Sequence, residues 1–380
     1  MLHRTPELDE TDRKVLAGIY SRRDALASAM RVPKRWPGLL RRNLMARAIR
    51  GSNSIEGYVV ETDDAAAAVD YESALTADER TFAEIRGYRQ ALGYVLTMAQ
   101  NAAPIDESSL RALHFMMLGH DLTKSPGQYR TGPIYVRNDG SGEAVYEGPG
   151  SEMVPELMTE LAGALAADAD PIVAGAMAHL NLVMIHPFRD GNGRMARALQ
   201  TLVVSRGGIA EPTFCSIEEW LGANTEDYYR VLARASTGCW SPDSDARLWL
   251  RFNLRAHDIQ AQTVAGRLRR AERAWSRLDE VVAECKLPER VTDLLYDALI
   301  GFRVRRQTYL ARARIDQRTA TRDIKALIEL ELLESRGETH RRHYLAGARL
   351  VELKGVLREE VPRRISDPFP ELRMELVRPR

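Results

Sequence analysis

Three things are scarce in this sequence: cysteine, uninterrupted apolar runs and an excess of charge of either sign. The three cysteines, Cys215, Cys239 and Cys285, are widely spaced and have no CxxC or histidine-rich context, which argues against a zinc site and a disulfide framework. Their odd number fits a reducing compartment. The N-terminus has no apolar segment of the signal-peptide kind, and no apolar run is long enough to span a bilayer. We therefore expect a cytoplasmic protein without a membrane partner.

The charge balance is close to neutral, with 54 Lys and Arg against 53 Asp and Glu. A net charge of +1 excludes a global attraction to nucleic acid or anionic lipid, so any such partner must meet a local patch. The 44% hydrophobic content is ordinary for a globular protein, and 380 residues suffice for two or three domains with separate cores.

One contiguous stretch, residues 186–197 with the sequence HPFRDGNGRMAR, concentrates reactive chemistry. The apolar residues 176–185 before it repeat at helical spacing, and Pro187 ends that helix, which places His186 at its C-terminus. Turn-forming residues follow at 190–193, and a second helix begins near Arg194. Its N-terminal amides and positive dipole end favour an anion, and Arg194 and Arg197 lie on one face. The pattern predicts a polyphosphate site.

The same stretch supplies a candidate metal ligand and a candidate base. Asp190 offers the hard oxygen that Mg²⁺ prefers, alongside substrate phosphates. His186 has an unperturbed pKa near neutrality, which suits removal of a proton from an attacking hydroxyl. The stretch is not a Walker A loop, because no Gly-Lys-Ser/Thr follows the glycines and no strand precedes them.

The whole stretch resembles the motif HPFx(D/E)GNGRxxR of Fic-family proteins at every defining position. The resemblance implies transfer of AMP from ATP to a Ser, Thr or Tyr hydroxyl of a target protein. It also implies ATP as substrate, Mg²⁺ as cofactor, His186 as base and Asp190 as metal ligand. The residues implied to bind the nucleotide are Gly191, Asn192, Gly193, Arg194 and Arg197.

A second segment, residues 51–57 (GSNSIEG), begins with good N-cap residues and predicts the start of a short helix with an acidic face. Taken alone, a structural capping role is the default interpretation. Beside a Fic loop it resembles the family's inhibitory motif (S/T)xxxE(G/N), with Ser52 and Glu56 as its fixed positions. Glu56 would pair with Arg197 and compete with the ATP γ-phosphate for the same guanidinium.

Short β-prone runs at 134–136 and 144–146 flank a Gly-rich turn and predict a hairpin. In Fic proteins a similar hairpin, the flap, aligns the target by strand addition, and the resemblance assigns Val136, Arg137 and Asn138 to it. Residues 214–238 are predicted to be helical, and they resemble the family segment in which a tyrosine pair, here Tyr228 and Tyr229, encloses the adenine.

The C-terminal part predicts three helices between residues 289 and 333 and then a short hairpin, which resembles the winged-helix domain of many Fic proteins. Residues 303–344 contain 11 Lys and Arg against 6 Asp and Glu. Arg318 and Arg322 would lie on a recognition helix, with Arg341 and Arg342 on the wing. Whether this domain binds DNA or docks proteins stays open.

We therefore expect a mostly α fold: a helical Fic core with a β-hairpin flap and a small C-terminal winged-helix domain. The expected division is an N-terminal helical region (1–100), a Fic core (101–245), a helical connector (246–287), a winged-helix domain (288–350) and a C-terminal tail (351–380) that is extended from residue 361. We expect a homodimer, with an unknown protein target that includes the chain itself among the candidates. Two alternatives remain: a DNA-binding regulator switched by self-modification, and removal of AMP from a modified protein.

Overall fold

The computed structural model describes residues 1–30, 36–137, 144–165, 169–207, 216–338, 342–362 and 364–377. The described helices, in chain order, are α1 Glu10–Met30, α2 Trp36–Ile55, α3 Thr62–Val69, α4 Glu79–Gln100, α5 Glu107–Leu118, α6 Val154–Ala164, α7 Pro171–Ile185, α8 Asn192–Arg206, α9 Glu218–Ala223, α10 Thr225–Ser236, α11 Arg247–Glu284, α12 Thr292–Ile300, α13 Arg306–Ala313, α14 Gln317–Glu329, α15 Ala348–Glu360 and α16 Leu372–Val377. The described strands are β1 Tyr135–Arg137, β2 Ala144–Glu147, β3 Leu333–Arg336 and β4 His343–Ala346.

The chain divides into two compact units. The first contains Met1–Ala29, Leu44–Ala261 and Ser366–Arg380, and the second contains Met30–Asn43 and Gln262–Ile365. Helices α2 and α11 therefore contribute residues to both units.

The first unit is organised around α7 and α8, which pack against each other along their lengths. Helix α7 is apolar on nearly every face and is buried almost throughout, as expected for a central helix. It begins where the Asp170 side chain accepts hydrogen bonds from the amides of Ile172 and Val173, with Pro171 at the first helical position. The predicted helix, its end before Pro187 and the helix that follows the loop are confirmed.

The predicted flap is a hairpin in the structure, with β1 and β2 antiparallel and Tyr135 opposite Glu147. On its other edge β2 is covered, because the Glu147 amide donates to the Gly238 carbonyl and the Trp240 amide donates to the Glu147 carbonyl. The buried Tyr146 hydroxyl donates to the Met184 carbonyl at 2.6 Å and ties the hairpin to α7.

In the second unit, α12, α13 and α14 precede the antiparallel strands β3 and β4. Tyr344 of β4 also pairs with Val304. Asp316 caps α14 by accepting from the amides of Arg318 and Thr319. The predicted helices and hairpin are present, and the assignment to the winged-helix class stays a prediction.

The mostly α fold with a small hairpin is confirmed, and three local expectations are wrong. Residues 51–55 end the long helix α2 and do not start a helix. The segment expected to be one helix contains two, α9 and α10, which meet at Asn224. The segment expected to be extended from residue 361 contains the short helix α16, and its Asp367 carboxylate pairs with Arg255 of α11. Among the described residues, no helix is both long and apolar enough to cross a bilayer.

Candidate active site

The candidate base His186 is the C-cap of α7 and adopts a left-handed backbone, with φ of 51°. This conformation is uncommon for a residue other than glycine, and it turns the chain sharply into the loop. The Nδ1 atom lies 3.0 Å from the Val183 carbonyl oxygen. Because a carbonyl only accepts hydrogen bonds, Nδ1 carries the proton and Nε2 of the neutral ring keeps its lone pair.

The surroundings of His186 favour the neutral imidazole. Burial lowers its pKa below the ordinary value of 6.5, and the positive charge of Arg130 acts in the same direction. The hydrogen bond to Val183 and the negative charges of Glu56 and Asp190 oppose this shift without reversing it. His186 is therefore in the state that accepts a proton at neutral pH.

Arg130, which the sequence did not single out, holds the backbone around His186. Its Nε donates to the His186 carbonyl at 2.8 Å, and its terminal nitrogens donate to the carbonyls of Gly132 at 2.8 Å and Pro149 at 2.5 Å. Its own amide donates to the Pro187 carbonyl at 2.9 Å. One buried guanidinium thus fixes the end of α7 relative to the segments on either side of the hairpin.

Asn192 and His114 brace the loop from inside. The buried Asn192 side chain accepts from the Phe188 amide at 2.9 Å and donates to the Phe188 carbonyl at 2.8 Å. The His114 Nε2 lies 2.9 Å from the Asp190 carbonyl oxygen, and its ring stacks on Phe188 with centroids 3.7 Å apart. His114 is fully buried in the core. Asn192, predicted to bind nucleotide, here uses its side chain to shape the loop.

The glycines of the loop lie where side chains would not fit. Gly191 is the N-cap of α8 with φ of 76°, so no side chain caps the first amides of that helix. A Cβ added to Gly193 would lie 2.5 Å from Glu56 Oε1 and 3.2 Å from an Arg197 nitrogen. The open N-terminus of α8 has the geometry of an anion site, and the Glu56 carboxylate closely approaches it.

Asp190, the candidate metal ligand, takes part in a charged cluster. One of its carboxylate oxygens lies 2.9 Å from Lys124 Nζ, and the other accepts from the Gly191 amide at 2.6 Å. The same ammonium lies 2.5 Å from Glu84 Oε1, and Glu84 Oε2 accepts from Arg194 at 2.5 Å. Burial would raise the pKa of Glu84, but Arg194 and Lys124 together hold it down to about 2.

Arg197, the last residue of the stretch 186–197, is bound by Ser52 and Glu56 of the segment 51–57. Its Nε donates to the Ser52 hydroxyl at 2.8 Å, and one terminal nitrogen donates to the Ser52 carbonyl at 3.0 Å and to Glu56 Oε1 at 2.6 Å. The Arg197 side chain is 1% exposed, whereas Glu56 is 22% exposed. The predicted pairing of Glu56 with Arg197 is therefore present in the structure.

Glu56 reaches Arg197 from the end of α2. The Gly57 amide donates to Ser54 and the Tyr58 amide donates to Asn53, with Gly57 at φ of 83°, which is a Schellman motif. Asn53 and Ser54 do not cap a helix start, because their side chains donate to carbonyls one turn earlier, at Ile49 and Gly51. The helix-start prediction failed for this reason, while Ser52 and Glu56 still reach Arg197 of α8.

The two tyrosines predicted to enclose adenine have different surroundings. Tyr228 is buried, and its hydroxyl lies 2.9 Å from His179 Nε2 while its ring is 6.0 Å from the Arg197 guanidinium. Tyr229 is 48% exposed, and its hydroxyl donates to the Ile55 carbonyl at 3.0 Å. In this conformation Tyr229 is accessible to a ligand, and Tyr228 is part of the core.

The residues around Asp190 fit a nucleotide-borne Mg²⁺ better than a metal bound by protein alone. No cluster of three or more His, Cys, Asp or Glu that could hold a metal ion occurs in the described part of the chain. Asp190 is 40% exposed and offers a hard carboxylate beside the open start of α8. Mg²⁺ commonly uses one or two carboxylates, water and substrate phosphates, which matches this donor set.

The remaining predicted positions lie elsewhere. Val136 and Arg137 are in β1, and Asn138 lies outside the described residues. In the second unit, Arg318 and Arg322 are exposed on α14, Arg342 is exposed just before β4, and Arg341 lies outside the described residues.

Comparison with known proteins connects this geometry to a family. Residues 104–204, which include the loop and most of α7 and α8, match the Fic/DOC family model. These residues form a Fic domain. A curated relative, protein adenylyltransferase Fic of Nematostella vectensis, is 28% identical over 255 residues, covering 65% of this chain and 55% of the relative. Protein adenylyltransferase fic-1 of Caenorhabditis elegans is 25% identical over 275 residues, covering 70% and 49%. The chain thus spans about half the length of these relatives.

Solved structures with the same fold include a Fic family protein from Desulfovibrio desulfuricans G20, with a TM-score of 0.57 and 23% identity over 91% of this chain and 98% of that one. Residues 134–508 of Fic-1 from C. elegans give a TM-score of 0.52 and 24% identity over 68% and 73%. These likenesses support the fold of the Fic domain.

Sequence reasoning missed three residues that contact this site, Glu84, Lys124 and Arg130. Glu84 had a detectable signal, because it falls on the buried stripe of α4 with Ile85 and Tyr88, where an unpaired carboxylate would be costly. Lys124 and Arg130 lie in a turn and in irregular chain, and no periodicity indicates which partners they meet.

Proposed function

We propose that this protein is a protein adenylyltransferase that moves AMP from ATP to a hydroxyl of a protein target and is held inactive by Glu56. The observation that carries the proposal is the pairing of Glu56 with Arg197 at 2.6 Å, directly over Gly193. The Glu56 carboxylate binds the Arg197 guanidinium close to the N-terminus of α8, where an anion would bind. A polyphosphate would need that guanidinium, so the resting enzyme is autoinhibited.

The chemistry follows from His186 and the loop. The target hydroxyl attacks the α-phosphorus, a new P–O bond forms, and the bond to pyrophosphate breaks. Nε2 of neutral His186 accepts the hydroxyl proton, while the α8 amides and Arg197, once released by Glu56, bind the phosphates. Asp190 would hold Mg²⁺, which supplies positive charge to the phosphates when it is bound.

The flap supports a protein target rather than a small acceptor. Strand β2 is covered on one side by residues 238–240 and on the other by β1, which places β1 at the outer edge of the pair. An extended target segment would add to β1 and present its hydroxyl to His186. Val136, Arg137 and Asn138 are the flap positions proposed to meet it.

The test compares wild type, Glu56→Gly, Glu56→Gln and Glu56→Gly/His186→Ala, each incubated with Mg²⁺ and ATP labelled at the α-phosphate. We expect labelled protein to increase at least about tenfold in Glu56→Gly, because a charge-assisted contact worth about 1.5–3 kcal/mol is removed. Glu56→Gln is the matched control for charge, and it should give an intermediate increase because the amide keeps the shape of the side chain.

Loss of label in the double variant would assign the proton transfer to His186. If no variant is labelled, even with cell extract as the source of target, ATP-dependent transfer is wrong. Release of AMP from an AMP-bearing protein, lost with Glu56→Gly, would then identify the reverse activity, in which Glu56 orients a water.

A second candidate function concerns the second unit. Arg318, Arg322 and Lys325 are exposed along α14, and Arg342 is exposed near the start of β4. This arrangement of cations on a helix and a hairpin supports binding to duplex DNA through phosphates and base edges. The Fic domain would then act as a regulatory switch on a DNA-binding protein.

A further inference from the structure

Lys124 occupies an unusual place for a lysine, with its side chain only 12% exposed. It ends the 3₁₀ turn Leu122–Lys124, whose start is capped by the Asp121 carboxylate accepting from the Thr123 amide. Ser125 then adopts a left-handed backbone with φ of 52°, so the chain reverses immediately after Lys124. This turn directs the side chain inward toward the Fic loop.

The Lys124 ammonium lies between two carboxylates from different elements. It is 2.5 Å from Glu84 Oε1 of α4 and 2.9 Å from Asp190 Oδ2 of the loop. The Tyr58 hydroxyl, just after the inhibitory segment, is 3.3 Å away. With a carboxylate on either side, the ammonium of Lys124 is held by two ion pairs.

Asp190 is therefore already neutralised in the free protein. A divalent cation on the same carboxylate would sit within a few ångströms of the ammonium, and like charges repel strongly at that separation in a partly buried site. Lys124 could remain bound to Glu84 alone, but the other carboxylate oxygen of Glu84 already binds Arg194 at 2.5 Å. The two cations and two carboxylates of this cluster compensate each other's charge without a metal. A bound metal ion would add positive charge that the cluster does not compensate.

We propose that Lys124 is a positioning residue whose ammonium lies beside Asp190 where a divalent cation would bind. It thereby weakens metal binding until the nucleotide brings its phosphates. This inference rests on the proposed function, since it concerns the metal of the same site. The incoming phosphates supply the negative charge that lets ammonium and divalent cation coexist. The free protein consequently keeps Asp190 oriented but binds little metal.

The test measures binding of Mn²⁺ alone, without nucleotide, to the full chain by electron paramagnetic resonance. The proteins are wild type, Lys124→Met, Lys124→Arg and Lys124→Met/Asp190→Asn. We expect Lys124→Met to bind Mn²⁺ about tenfold more tightly than wild type, Lys124→Arg to stay near wild type, and the double variant to lose the gain. Mg²⁺ should also raise the Tm of Lys124→Met more than that of wild type.

Equal Mn²⁺ affinity in wild type and Lys124→Met, or a gain that survives in the double variant, would overturn the inference. Lys124→Gln provides the same comparison if the methionine variant does not fold, because its amide can still bond to Glu84. The outcome is independent of AMP transfer. If no labelled AMP is transferred to any protein but the Mn²⁺ affinities of the variants follow the expected order, the transferase proposal is refuted and the role of Lys124 stands.

Discussion

Glu56 is a carboxylate at the C-terminal end of a helix, where the backbone dipole disfavours negative charge. Its position is stabilised by Arg197 at 2.6 Å, while Ser52 keeps the guanidinium oriented. The proposed inhibitory contact thus depends mainly on one ion pair. Any ligand that competes for Arg197 also removes the group that keeps Glu56 at this helix end.

His186 supports a prediction about pH. Because burial lowers its pKa, the neutral form persists to a lower pH than for an exposed histidine, and removal of the Glu56 charge lowers the pKa further. We expect the initial rate of label transfer by Glu56→Gly to stay constant from pH 8 down to about 6.5 and to fall only at more acidic pH. Initial rates measured across that range check this.

The control for the pH prediction is the tryptophan fluorescence spectrum, recorded over the same range to show that the protein stays folded. An acidic midpoint at or above the ordinary histidine value would contradict the prediction. It would mean that burial does not dominate the environment of the His186 ring, or that a different group limits the rate.

At the scale of elements, the site depends on the crossing of α2 with α9. A Cβ on Gly51 would lie 2.4 Å from the Glu218 carbonyl oxygen, and one on Gly222 would lie 2.7 Å from the Gly51 Cα. The two backbones are therefore in direct contact next to Ser52. Glycine at both positions is what allows the inhibitory end of α2 to reach the loop.

We predict that Gly51→Ala lowers the free energy of unfolding by about 1–3 kcal/mol, because backbone atoms must separate to admit the methyl group. The same change should raise label transfer in a protein that retains Glu56, since the inhibitory segment is displaced. Gly38→Ala is the matched control on the same helix, where an added Cβ meets nothing within 4 Å.

Gly38→Ala should be neutral or stabilising by up to about 1 kcal/mol from helix propensity. Urea unfolding monitored by circular dichroism measures both variants. Similar unfolding midpoints for the two would show that the α2 and α9 backbones are not in close contact.

Helix and strand positions were largely predictable, since α7, α8 and the hairpin follow from apolar periodicity, Pro187 and turn residues. The end of α2 was not, because Ser52, Asn53 and Ser54 are good N-cap residues by type. Only the backbone shows that Asn53 and Ser54 bond back to Ile49 and Gly51. Side-chain types that suit a helix start also suit the last turn when their hydrogen bonds run backward.

At the scale of the whole molecule, the second unit carries its own prediction. If Arg318, Arg322 and Arg342 contact phosphates or bases, duplex DNA should bind with an affinity that falls steeply with salt. Changing Arg322 to Ala should reduce the affinity by about tenfold and lower the salt slope by about one. Fluorescence anisotropy of a labelled duplex at several salt concentrations measures both quantities.

Lys286→Ala is the control for the DNA experiment, because it removes a cation from the same unit outside α14 and the β3–β4 hairpin. An absence of binding at low salt would refute DNA recognition by this unit. Equal losses for Arg322→Ala and Lys286→Ala would indicate a diffuse electrostatic attraction without a defined interface.

The sequence alone determined the reactive loop, because residues 186–197 are contiguous and their spacing fixes which of them share a turn or a helix face. The meeting of Glu56 with Arg197 was implied only by the resemblance of residues 51–57 to a family motif, because the residues alone favoured a capping role. Tertiary structure alone decided that Lys124 bridges Glu84 and Asp190, that Arg130 clamps His186, and that Tyr228 faces inward. These contacts join residues far apart in the chain, and local preferences cannot specify which distant side chains packing will bring together.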